Sequence, residues 1–129
     1  MTLAQLIAEV DEYRPNHYDE NMKTGWVNEI EEKAVKTVIN RALFNAVEFT
    51  PYDYDLNNET ELMIPDTHKD VYETYLFAKM DYINAEFDRY NADAAMHDAA
   101  WKEYAAEYRR EHYPYPYETA IHYITTCQE

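Results

Sequence analysis

Gly25 is the only glycine in a chain of 129 residues. Phosphate-cradling loops, nucleophile elbows and dinucleotide fingerprints each need several glycines at set spacing, so most nucleotide chemistry is excluded at the outset. Together with fourteen tyrosines and a formal net charge of −15, that count describes an all-α protein with aromatic stripes inside and carboxylates outside. The profile suits an assembly component better than an enzyme. The expectation is a non-enzyme that carries no cofactor and no metal.

A chain of this length reads as one domain and buries roughly two-thirds of its unfolded surface on folding. Hydrophobic residues at 47% and charged residues at 29% lie away from the composition of disordered chains. Eleven Lys and Arg against 26 Asp and Glu argue against nucleic-acid binding, whose affinity comes largely from basic side chains displacing counterions. No apolar run reaches 18 residues, and Met1 to Gln5 lacks the basic flank of a signal peptide. With a lone Cys127 that has no internal disulfide partner, these features point to the cytosol and away from membranes.

The apolar spacing predicts about four helices. Thr2 and Gln5 form a capping box, and Leu3, Leu6, Ile7 and Val10 recur at helical spacing up to Pro15, predicting a first helix over about 2–13. A second is predicted from Asp19 to about Asn40, with Met22, Trp26, Ile30, Ala34 and Val38 on its inner stripe. Glu29/Lys33 and Glu32/Lys36 are its expected outer ion pairs. Further on, Tyr72, Leu76, Met80, Ile83, Phe87 and Tyr90 step like a coiled-coil seam, and the stripe continues through Trp101, Tyr104 and Tyr108. A single helix over 67–111 is improbably long, so a hairpin broken near Asn91-Ala92-Asp93 is favoured.

Between Ala42 and His68 the pattern changes to a long acidic loop with six carboxylates and no Lys or Arg. Leu62-Met63-Ile64 is a possible short strand, pairing with Val47-Glu48-Phe49 in a β-hairpin. Asp53-x-Asp55-x-Asn57 matches the opening ligands of a calcium loop, but the twelfth position is Ile64 instead of the bidentate carboxylate, so a solvated acidic loop is the better reading. The five histidines are scattered and read as single surface side chains. After His112 the run Tyr113-Pro114-Tyr115-Pro116-Tyr117 forbids a helix. The chain therefore divides into a helical domain, 1–112, and an extended tail, 113–129.

Tyrosine serves interfaces well because it joins an apolar body to a polar tip. The partner-contact candidates are Tyr52, Asp53, Tyr54 and Asp55 in the loop, and Tyr113, Tyr115, Tyr117, Ile121, Tyr123 and Ile124 in the tail.

Read together, Thr2 to Asp11, Arg14-Pro15-Asn16, Lys23-Thr24, Trp26 to Glu29, Pro51 to Asp55, Thr60 to Asp66 and Asp81 to Asn91 resemble the small head–tail connector proteins of tailed phages. The resemblance covers about residues 2–112. It implies an all-helical adaptor that docks as a ring of identical copies under the portal protein, extends the DNA channel, and receives the next head-closure or tail-completion protein. Double-stranded DNA would pass through without specific binding, in keeping with acidic walls. The implied location is the cytoplasm of an infected bacterium during assembly and then the virion neck. The tail departs from the family pattern. The competing reading from charge is an acidic DNA mimic that inhibits a nucleic-acid-binding protein.

Overall fold

The computed structural model describes residues 1–42 and 47–112, and among these it is all-α with no strand. Helix α1 spans Leu3–Tyr13, and α2 spans Glu20–Ala34 and runs on through a π-helical turn, Val35–Ile39, into a last turn, α3, Asn40–Ala42. A one-turn helix, α4 (Tyr54–Asn57), precedes the hairpin of α5 (Asp70–Ile83) and α6 (Phe87–His112).

Helix α1 starts as its capping box dictates: the Thr2 hydroxyl accepts from Gln5 N, while the Gln5 side chain accepts from Thr2 N. Its inner stripe, Leu3, Leu6, Ile7 and Val10, is fully buried. Helix α2 begins after Asp19 and buries Trp26, Val27, Ile30 and Ala34, but Met22 is 44% exposed and drops out of the expected stripe. The π turn inserts an extra residue, and Val35, Val38 and Ile39 are all buried around it. Thr37 donates its hydroxyl to Lys33 O at 2.7 Å, the back-bond that bends helices. Gly25 lies on the exposed side, and a Cβ there would meet nothing within 4 Å. Close packing is not its role.

The hairpin forms, but its turn lies at Asn84-Ala85-Glu86 instead of 91–93. Helix α5 ends in a Schellman arrangement: Glu86 N donates to Asp81 O at 2.9 Å and Ala85 N to Tyr82 O at 3.2 Å, with Ala85 at φ 59°. Glycine normally fills that left-handed position, so the sequence carries no mark of the turn. Asp93, expected as a cap, is instead buried inside α6. The turn also splits the seam. Tyr72, Leu76 and Met80 enter the core with Ala100, Tyr104 and Ala105, whereas Ile83 and Phe87 are exposed.

The expected pairing of 62–64 with 47–49 does not form. Leu62 N donates to Met1 O at 2.9 Å, and a lone bridge joins Thr2 to Glu61. Of the expected outer ion pairs, Glu32–Lys36 closes at 2.7 Å. Glu29 turns to Lys79 and Tyr75 on α5, and Lys33 lies over the Trp101 ring.

Candidate interaction surface

One buried carboxylate anchors both ends of the 52–63 stretch. Glu31, on the inner side of α2, is fully buried and accepts from the hydroxyls of Tyr52 (2.7 Å) and Tyr72 and from Met63 N (3.0 Å). The Tyr72 oxygen in turn accepts from Ile64 N at 2.9 Å. Burial foremost, with the Glu31 charge second, raises both tyrosine pKa values, so both hydroxyls keep their protons to donate. Asn28 adds a clamp on Tyr52, accepting from its N–H at 2.8 Å and donating to its carbonyl at 3.1 Å.

Tyr52 and Tyr54, expected to be exposed, instead pack against the core. Between them the loop turns outward. Asp53 accepts from Asp55 N at 2.9 Å and Asn57 Oδ1 accepts from Asp53 N at 2.9 Å, so the residues of the calcium-like pattern cap the single turn of α4. Among the described residues no group of three His, Cys, Asp or Glu is placed to hold a metal. What faces solvent here is Asp53, Asp55 and Leu56, the last 82% exposed. Leu56 was not singled out from the sequence, although an apolar side chain inside an acidic run was the available signal. The tail candidates Tyr113, Tyr115, Tyr117, Ile121, Tyr123 and Ile124 lie outside the described residues.

A second buried ionic site pins three helices together. Arg14, just past the end of α1, holds Asp81 of α5 and Asp93 of α6 at 3.0 Å each, and its guanidinium lies 4.3 Å from the centre of the Phe77 ring. Burial foremost, with the neighbouring Asp93 carboxylate second, pushes Asp81 up to about 6, and Arg14 only partly opposes the shift. Nearby, Lys23 is buried against Asp11 at 2.7 Å. On α5, burial and the Glu9 carboxylate push Glu73 up to about 7.

Two histidines are buried instead of sitting at the surface. His68 pairs with Glu107, and His97 packs at the Val71 carbonyl (3.1 Å) and is held below its ordinary pKa by burial. His17 and His112 are exposed as expected.

Among the described residues, four of the seven exposed large apolar side chains lie on the α5–α6 hairpin: Tyr82, Ile83, Phe87 and Met96. Beside it lies a groove of about 340 Å³ between the two helices, lined by Tyr75, Ala78, Lys79, Tyr82, Tyr90, Ala94, His97 and Asp98. Sequence spacing had placed Ile83, Phe87 and Tyr90 in the core, so this face was not legible as a surface. No helix among the described residues is long and apolar enough to cross a membrane. No protein-family model, no curated protein and no solved structure matches this chain.

Proposed function

We propose that the protein is a structural head–tail connector adaptor, which docks as a ring under a phage portal, extends the DNA channel and joins the head to the next closure or tail component. One observation carries the reading. The sequence segments that resemble the connector family are far apart in the chain, and their residues meet one another in space. Arg14 meets Asp81, Lys23 meets Asp11 and Asn16, Asn28 meets Tyr52, and Thr2 meets Glu61. In one folded unit, these segments form the single helical domain that an adaptor requires.

The outward groups suit assembly through two different faces, as ring subunits require: the Asp53, Asp55 and Leu56 corner, and the α5–α6 hairpin. Copies of net charge −15 repel one another, so the free protein is expected to be a monomer or small oligomer that forms a ring only on a portal template. Light scattering with and without cognate portal particles tests this. Portal-dependent growth of a complex supports the reading, and a stable dimer that ignores portal overturns it. The DNA-mimic reading ranks lower because a mimic needs its carboxylates spread along one face, and Glu31, Asp81 and Asp93 are spent inside the protein.

A further inference from the structure

The groove between α5 and α6 is built from one face of each helix, residues 75, 78, 79 and 82 on the first and 90, 94, 97 and 98 on the second. Ala78 and Ala94 leave it open between aromatic walls. Tyr82 and Tyr90 stand 5.7 Å apart at one end, and Tyr75 and His97 stand 5.2 Å apart further along. Burial lowers the pKa of His97, so its ring adds no positive charge to the groove near neutrality. Asp98, exposed, supplies a carboxylate at the far end.

This aromatic row already collects cations. Lys79 Nζ lies 5.3 Å from the Tyr75 ring centre and Lys33 Nζ lies 4.5 Å from that of Trp101, which neighbours His97. Among the described residues, no cation lies over Tyr82 or Tyr90. The nearby Arg89 is engaged with Glu86 at 2.6 Å. Tyr82 is nonetheless 62% exposed, a large ring face in water at one end of an open slot.

We propose that this groove docks an extended basic segment of a partner protein, with one arginine or lysine side chain over the Tyr82–Tyr90 pair and a second at Asp98. Aromatic faces attract cations electrostatically, and a chain of net charge −15 draws a basic partner and repels a second copy of itself. Tyr90 and Asp98 are eight residues apart on α6, about 12 Å along its axis, which an extended peptide covers in about four residues. The partner motif is therefore two cationic residues four apart in an extended strand. The proposal stands whether or not the protein is a connector adaptor.

The probe is the acetylated, amidated peptide RSSSR, titrated into the whole protein at about 0.15 M salt and followed by NMR, with ESSSE as control. No portal is used, so a failure here is distinct from a failure of the adaptor reading. Binding of RSSSR alone, with shifts centred on Tyr82, Tyr90 and Asp98, is the expected result. Tyr82→Ala and Tyr90→Ala each weaken it about fivefold, the size of one exposed cation–π contact, while Tyr82→Phe retains it because the ring and not the hydroxyl does the binding. Tyr82 is exposed, so its alanine variant keeps the fold, which circular dichroism verifies. The double variant Glu12→Gln, Glu103→Gln removes two exposed charges that do not line the groove and leaves binding within about twofold, since exposed charges are strongly screened at about 0.15 M salt. The proposal is overturned if RSSSR does not bind at millimolar concentration, if its shifts centre on the Asp53–Asp55 loop, or if the charge control weakens it as much as Tyr82→Ala.

Discussion

Two buried carboxylate sites hold this protein together by opposite means. At Glu31 a buried carboxylate is met by neutral donors, two tyrosine hydroxyls and a backbone N–H, with no cation among its hydrogen-bond partners in the described residues. At Arg14 one guanidinium is shared by two carboxylates, Asp81 and Asp93. The first site needs both carboxylate oxygens, which together accept three hydrogen bonds. The second has one carboxylate too many and relieves the excess by holding a proton as the solution is acidified. Glu31 ties an irregular segment to the helices, and Arg14 ties helix to helix, so the two also differ in what comes loose when they fail.

Replacing Glu31 by Leu should rank with the loss of Arg14 among the largest effects. It strands the buried Tyr72 hydroxyl and two half-buried donors, the Tyr52 hydroxyl and Met63 N, so a loss of about 3 kcal/mol or more is expected in urea unfolding at neutral pH. Tyr52→Phe removes one donor and should cost about 1 kcal/mol. If the leucine variant were as stable as wild type, Glu31 would not be the anchor of the loop.

Arg14→Met leaves Asp81 and Asp93 facing each other without a cation, which should cost about 3–5 kcal/mol at pH 8. The cost should shrink at pH 5, where protonation removes the repulsion. Equal losses at the two pH values would break the contrast with Glu31.

Asp81→Asn isolates the titration. The folded pKa of Asp81, about 6, lies above the ordinary value for an unfolded aspartate, about 3.9. The folded state therefore holds the proton more tightly than the unfolded state. The corresponding stabilisation is complete below about pH 4 and is lost as pH rises through about 6, an effect of up to about 3 kcal/mol. Measured from pH 4 to 8, wild type should lose stability relative to Asp81→Asn across that window. Parallel curves would remove the account in which Asp81 holds a proton in the folded state.

Two backbone substitutions, remote from both sites in mechanism, should give the smallest effects, in the favourable direction. Ala85→Gly relieves a left-handed residue at the end of α5, and Gly25→Ala stiffens an open position within α2, each stabilising by about 1 kcal/mol in thermal or urea unfolding. A loss of stability in Gly25→Ala would show that α2 uses that position after all.

The helices were legible because local rules write them: the Thr2 capping box, Asp19 ahead of α2, and the apolar spacing of α1 and α5. The polar core was not, since a pattern that treats every charge as wet sends Glu31, Asp81, Asp93 and His97 to the surface. The trace was there in part. Asp93, His97, Ala100 and Tyr104 step by four, three and four, and Val27, Glu31 and Val35 by four, so polar residues were sitting at inner positions of their helices. At the candidate surface, Asp53 and Asp55 were read as exposed and are, while Tyr52 and Tyr54 were drawn inward by Glu31 and the core.

By itself the sequence determined a helical class, the start of each long N-terminal helix, a hairpin somewhere between 67 and 111, and an acidic surface, because hydrogen-bonding period, caps and net charge act within a few residues or over the whole chain. Only the tertiary structure decided where the hairpin turns, which carboxylates go inside, and which aromatic rings remain in water. Those choices depend on partners up to 79 residues away, as in Arg14 with Asp93, and a buried charge is tolerable only once such a partner is in place.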